Sequence, residues 1–312
     1  MRILVTGGAG FIGSHLVDRL IASGHDVLVL DNLCTGTMRN LSSVQSSRNL
    51  KVIRTDIRRI AGQLLKKAGK VDAVCHFAAL TDVQASIKNP TTTSEVNVLG
   101  TLRVLDAARE LKAERVIIAS SAAVYGTPDT FPIAEDTAAV PVSPYGASKA
   151  ASELYSKAFE ENHGIETISL RYFNVYGPRQ TSSQYSGVIS IFARKLLRRL
   201  PLPIFGDGSQ SRDFVFVADA IDGTIAALEK ESLESRVFNI ASGKETTILE
   251  LAKMMQEIAG ASSDLIFKPP RKGDVRRSVA NVARAQDELG LRSAADLRDG
   301  LSATIQWFAH KK

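Results

Sequence analysis

Tyr145 and Lys149 stand one helical turn apart in the run Ser143–Lys149, and Ser121 follows an apolar, strand-like run earlier in the chain. Residues at i and i+4 share a helix face, so the spacing sets a phenol beside an ammonium. A free phenol titrates near 10, and for it to act as a base at neutral pH the phenolate must be favoured by about 4 kcal/mol. A neighbouring ammonium pulls in that direction. A serine hydroxyl can bond the same substrate oxygen and steady it as its proton leaves. These three residue types point to acid–base chemistry on a hydroxyl group. The plain alternative is a buried tyrosine with a lysine that lays its stem along apolar surface.

The surrounding elements decide between the two. Ser143-Pro144 is a helix-start signal. Before it, short runs rich in Val, Ile and Leu (Arg2–Thr6, Asp26–Leu30, Lys51–Arg54, Asp72–Phe77 and Glu114–Ala119) alternate with helical patterns at Phe11–Ser23 and Ser94–Leu111. Strands alternating with helices predict a parallel sheet covered on both faces, with right-handed crossovers. The expected fold is therefore α/β: a doubly wound, Rossmann-type parallel sheet over residues 1–172. The rhythm changes after Tyr172, and Gly177-Pro178 breaks the chain. Residues 173–312 are expected to form a smaller C-terminal α/β substrate lobe, with about 213–241 packing back on the first domain. A helix is predicted over Val188–Leu200, ending before Pro201.

The turn between the first strand and first helix reads Thr6-Gly7-Gly8-Ala9-Gly10-Phe11-Ile12-Gly13. Glycines at Gly7, Gly10 and Gly13 permit a tight turn, close approach of a pyrophosphate and close helix–strand packing. The helix N-terminus then faces the phosphates with free N–H groups. This strand–glycine–helix context predicts a dinucleotide site. Asp31, after the second strand, suits the adenosine ribose hydroxyls and repels a 2′-phosphate, which favours NAD over NADP. Asp56, after the third strand, is a candidate for the adenine amino group.

The chain has 312 residues, 44% hydrophobic and 23% charged, with a net charge of +6. These values fit a soluble globular protein. No apolar run approaches the roughly 20 residues of a membrane span, and no signal peptide is evident. Cys34 and Cys75 form no CxxC, which makes a reducing cytoplasm the expected compartment. The histidines show no metal-ligand spacing, so no metal is expected. The cluster Arg194, Lys195, Arg198 and Arg199 reads as a solvated helix face, and no aromatic–basic interleaving suggests nucleic acid.

Six motifs, in this order and spacing, give the chain a family likeness: TGGAGFIGS (6–14), DNL (31–33), HFAA (76–79), SSAAVYG (120–126), SPYGASK (143–149) and RYFNVYGP (171–178). Together they resemble the extended short-chain dehydrogenase/reductase family, the NAD-dependent epimerases and dehydratases, over nearly the whole chain. The resemblance is closest to the group of UDP-galactose 4-epimerases. It implies that Tyr145 is the catalytic base and acid, that Lys149 tunes it and binds the nicotinamide ribose, and that Ser121 supports it. It implies cofactor contacts at Phe11, Ile12, Asn32 and Ile57, and at Phe77, Ala78, Ala79, Asn97 and Tyr172. Arg212 matches the diphosphate-binding arginine, Arg271 and Asp274 a second phosphate and ribose motif, and Asn174 the asparagine on the diphosphate. Val188 and the Leu202–Phe205 segment, including Ile204, match the stretch that frames uracil. Ser278 matches the position beside the sugar C2 substituent, where a small residue hints at N-acetylated sugars. A homodimer through the helices near Ser94–Leu111 and Tyr145 also follows from the resemblance.

One local feature separates chemistries within the family. Relatives that dehydrate or decarboxylate carry acidic residues where this chain has Ala122-Ala123. A methyl group cannot exchange protons. The simplest remaining reaction is hydride out and hydride back at C4 of a UDP-hexose. UDP-glucuronate or UDP-N-acetylglucosamine as substrate, a keto-sugar reductase, and an NAD-binding sensor without chemistry are the competing readings.

Overall fold

The computed structural model describes residues 1–60, 68–180, 187–270, 275–291 and 295–310. Seven parallel strands form the main sheet: β1 (Arg2–Thr6), β2 (Asp26–Asp31), β3 (Leu50–Arg54), β4 (Ala73–His76), β5 (Arg115–Ser121), β6 (Glu166–Tyr172) and β10 (Val237–Ile240). Their order is β10-β6-β5-β4-β1-β2-β3, so the strand order reverses between β1 and β4. In doubly wound sheets ligands bind outside the carboxyl ends of the strands at such a reversal.

The sheet is buried on both faces, which is why its strands read as continuous apolar runs. Ile3 and Val5 face one layer, with α1 (Phe11–Ala22) and α7 (Val217–Glu229); Leu4 faces the other, with α4 (Gly100–Glu110). Between β4 and α4 the chain forms α2 (Val83–Lys88), α3 (Pro90–Ser94) and a π-helical turn at Glu95–Leu99. The predicted helix from Ser94 to Leu111 thus carries an inserted residue at its start.

α5 (Pro144–His163) begins where Ser143 and Pro144 predict. The Ser143 hydroxyl accepts from the Gly146 amide at 3.1 Å, and Gly164 closes the helix in the left-handed conformation. β5 runs two residues beyond the predicted strand, to Ser121.

The C-terminal lobe has its own core. Phe192 and Leu196 of α6 (Val188–Leu197) meet Ile204 of β8 (Leu202–Phe205), Leu251 and Met255 of α8 (Ile248–Ala259), and Leu301 and Phe308 of α10 (Leu297–His310). α6 stops at Leu197, short of the predicted Leu200. Arg199 takes a positive φ of 54°, and the residue before Pro201 is disfavoured in a helix.

β7 (Asn174–Tyr176) and β11 (Glu245–Thr247) flank β9 (Ser211–Phe216) in a small sheet, and β12 (Leu265–Lys268) pairs with β8. After β9 the chain returns to the first layer, where α7 packs on α1 and β10 pairs with β6. α9 (Ala283–Leu289) follows β12 and packs against β10. Among the described residues no helix is long and apolar enough to cross a membrane.

Candidate active site

Five strands end on residues of chemical interest: β1 on Thr6, β2 on Asp31, β4 on His76, β5 on Ser121 and β6 on Tyr172. Parallel strands with right-handed crossovers bring all these ends to one edge, so residues far apart in sequence converge there.

The glycine turn lies over β1 and β4. Gly7 adopts a φ of +71°, and a Cβ there would come within 2.6 Å of the Ala78 amide nitrogen. A Cβ on Gly13 would sit 2.3 Å from the Gly7 carbonyl oxygen. Neither position accepts a side chain, and Gly10 caps the N-terminus of α1 between them. Phe11 and Ile12 follow, half-buried. The buried carboxylate of Asp31 accepts from the amides of Ala9 at 3.0 Å and Leu33 at 2.7 Å, which joins the turn to the end of β2. Asn32 donates to Asp56 at 3.1 Å. The Arg58 guanidinium holds the Asp56 carboxyl well below the usual range, against a smaller effect of burial. Ile57 is buried in the core beside α4.

Across the turn, the Phe77 amide donates to the Thr6 carbonyl at 3.0 Å and the Ala78 amide to the Thr6 hydroxyl at 3.3 Å. The Asn97 side chain accepts from the Leu80 amide at 2.8 Å and donates to the Leu80 carbonyl at 2.9 Å and the Ser148 hydroxyl at 3.0 Å. Asn97 therefore ties the segment after Ala79 to α5. The inserted residue of the π turn accompanies this placement.

Tyr145 and Lys149 are both buried on α5. The Tyr145 phenol is hydrogen-bonded to Ser121; burial pushes it up and this bond pulls it down. Lys149 donates from Nζ to the Ala119 carbonyl at 2.7 Å. Burial pushes Lys149 down to about 8, and the charge of Glu153 opposes that. His76 is bonded to Thr6 through Nδ1 at 2.7 Å and to Thr101 through Nε2 at 2.9 Å. Burial, with the charge of Lys149, pushes it down to about 3, so the ring is neutral. The three residues of the proposed chemistry are thus brought together, with Ala122 and Ala123 directly after Ser121.

The rest of the predicted site is divided. The Tyr172 ring packs on Phe77 with centroids 6.0 Å apart, but its hydroxyl meets Thr224 at 2.6 Å inside the core. Asn174 donates to the Asp213 carbonyl at 3.2 Å. Arg212 is half-buried on β9 and donates to the Ser211 carbonyl at 2.7 Å. Ser278 is buried, and Val188 opens α6 half-buried.

Ile204 lies in the Leu202–Phe205 segment expected to frame uracil. It is fully buried in the C-terminal core, because strand alternation turns Leu202 and Ile204 inward and leaves Pro203 and Phe205 half-buried. Arg271 and Asp274 lie outside the described residues.

Sequence reasoning assigned no role to Thr6, Ser86 or Ser148. Ser86 accepts from the Tyr145 amide at 3.1 Å, and a single serine in an irregular segment carries no signal of that contact. Asp213 was also missed. It is buried and accepts from the amides of Ser242, Gly243 and Ala280 at 2.8, 2.9 and 3.2 Å, which joins two separate loop segments to β9 next to Arg212 in sequence. Among the described residues no group of three or more His, Cys, Asp or Glu could hold a metal ion.

The sequence profile of the NAD dependent epimerase/dehydratase family matches residues 3–241. A putative UDP-glucose 4-epimerase of Methanocaldococcus jannaschii is 40% identical over 306 residues, covering 98% of this chain and 97% of the other. The crystal structure of UDP-glucose 4-epimerase from Thermotoga maritima with UDP-glucose superposes with a TM-score of 0.92 at 37% identity, covering 99% of this chain and 98% of that one. UDP-N-acetylglucosamine 4-epimerase from Methanobrevibacter ruminantium, in complex with UDP-N-acetylmuramic acid, gives a TM-score of 0.94 at 36% identity, covering 100% and 99%. With the glycine turn, the strand order and these likenesses in agreement, the chain belongs to the NAD dependent epimerase/dehydratase family.

Proposed function

We propose that the protein is a UDP-hexose 4-epimerase that keeps NAD bound through turnover. The observation that carries this reading is the hydrogen bond of the buried Tyr145 phenol to Ser121, with the buried Lys149 on the same helix face one turn on, and alanines where a proton donor to C5 or C6 would stand. The site fits the cofactor. Gly7 and Gly13 leave a cradle that a Cβ would fill, the start of α1 faces it, and Asp31 offers a carboxylate beside it. NAD bound there would supply a hydride acceptor and donor for C4.

The protein's own residues do the rest. Tyr145 removes the proton of the C4 hydroxyl, and Ser121 donates to the same oxygen. Lys149 supplies the positive charge that lets a buried phenol ionise, and two of its three N–H donors are left for a ribose. The sugar turns over about its diphosphate, which Arg212, with Arg271, grips through planar guanidinium forks. Asn174 and Asp274 add hydrogen bonds to the diphosphate and a ribose, and Val188 borders the uracil. Tyr145 then returns the proton at the opposite face. Residues 1–172 form the NAD-binding domain and 173–312 the sugar-nucleotide lobe in this reading, with 213–241 closing back. An exposed, unpaired Cys34 fits a cytoplasmic enzyme.

Two further parts of the proposal concern breadth and assembly. Ser278 is small and buried, which favours acceptance of an N-acetyl group at C2. The region of α4 and α5 leaves Leu99, Leu154 and Tyr155 exposed, Leu154 at 71%. Apolar surface of this kind suits a homodimer contact.

Tyr145→Phe is expected to lower kcat by about 100-fold or more while the purified protein still carries NAD; near wild-type turnover would remove Tyr145 as the base. Ser278→Tyr should raise KM for UDP-N-acetylglucosamine far more than for UDP-glucose, and equal effects on both would take Ser278 out of the sugar pocket. Sedimentation should show a dimer that Leu154→Glu converts to a monomer. An unchanged mass would place the contact elsewhere.

A further inference from the structure

Behind Tyr145 and Lys149 lies an ion pair that no step above uses. Glu153 stands on α5 one turn beyond Lys149, on the same face. Arg171 reaches it from β6, with Nη2 donating to Oε2 at 2.7 Å and Nε to Oε1 at 3.0 Å. The side chains of this bidentate pair are 8% and 11% exposed. Ser120, next to Ser121 on β5, also donates to Glu153. The remaining Nη1 of Arg171 donates to the Tyr125 phenol oxygen at 3.0 Å and the Glu135 carbonyl at 2.8 Å.

Stability alone does not account for such a pair, since apolar replacements of buried ion pairs are often neutral or stabilising. Its position offers another reason. The Lys149 ammonium is withdrawn from water. Around it among the described residues stand Tyr145 and Glu153 on its own helix, His76 on β4, and Arg171 on β6, whose positive charge lies on the far side of the Glu153 carboxylate and partly offsets it. His76 bonds two threonines and is neutral, and charging it would repel the ammonium. Of these groups Glu153 is the one whose charge favours the protonated amine.

We propose that Glu153 is a positioning residue: fixed by Arg171 and Ser120, its carboxylate keeps the buried Lys149 ammonium charged and so keeps Tyr145 able to give up its proton. The proposal rests on the reading of Tyr145 and Lys149 as the acid–base pair. Arg171 sets where the carboxylate lies. Ser120 ties it to the strand whose Ala119 carbonyl receives the Lys149 Nζ, so carboxylate, ammonium and Ser121 share one frame.

The test is an NMR titration of the full-length protein labelled with 13C at lysine Cε, with Lys149 assigned by its loss in Lys149→Met. The wild-type signal is expected to titrate near 8. In Glu153→Gln the midpoint should fall by about 1 or more, and Glu153→Asp should restore most of the difference. If the glutamine variant, with Arg171 left unpaired, does not fold, Glu153→Gln combined with Arg171→Met removes both buried charges and should show a fall of the same sign but smaller, because the carboxylate lies nearer the amine than the guanidinium does. A folded variant without the carboxylate in which Lys149 titrates as in wild type overturns the proposal. A merely structural role for Glu153 would lower thermal stability without moving that signal. The titration needs no sugar substrate, so its failure is distinct from failure of the epimerase reading, which would appear as absent turnover in the wild type.

Discussion

The Lys149 ammonium is held out of water at the edge of the sheet, and its charge must be balanced from within the protein. An uncompensated buried charge costs several kcal/mol, and burial favours the neutral amine. The Ala119 carbonyl at the end of β5 meets Nζ directly, and the Glu153 carboxylate supplies opposite charge from the next turn of α5. Both depend on α5 lying against β5 in one register. That register is held by Asn97 bonding Ser148, by Ser86 receiving the Tyr145 amide and by the Ser143 cap. The requirement to keep one buried amine protonated thus bears on an unusual number of side chains.

In the proposed reading the same edge holds the cofactor. Gly7 and Gly13 let β1, α1 and the segment after β4 approach until no Cβ fits between them. Asp31 locks the turn to β2 from the other side. Thr6 is shared: its carbonyl and hydroxyl hold the Phe77 and Ala78 amides, and its hydroxyl also meets His76. A neutral His76 between Thr6 and Thr101 links the glycine turn to α4 without adding positive charge beside Lys149. In the proposed reaction the cofactor cradle and the acid–base pair stand on adjacent strand ends, as a hydride leaving C4 and a proton leaving its hydroxyl oxygen require.

Much of this was legible in the chain because its signals are local. The glycine spacing after a short apolar run, the Ser143-Pro144 start and the i, i+4 placement of Tyr145 and Lys149 each depend on a few neighbouring residues. What escaped depends on contacts between distant segments. Ser86 lies 59 positions from Tyr145 and Asp213 67 from Ala280, and neither pairing leaves a trace in local pattern. Which residues of the Leu202–Phe205 segment face the core was not legible either, because strand alternation, with Leu202 and Ile204 inward, decides it. The early end of α6 at Leu197 goes with the positive φ of Arg199, a backbone turn that no residue type in that stretch announces. Arg171 and Glu153 were both within view, one opening a motif and the other a turn past Lys149. Their meaning emerges only when β6 brings the guanidinium under α5.

The most direct test of C4 epimerisation with a retained cofactor is a proton NMR time course of the purified protein. UDP-galactose and UDP-N-acetylgalactosamine would be supplied separately, with no NAD added. The account predicts growth of the anomeric signal of the C4 epimer from at least one of them. Unchanged spectra from both would contradict it.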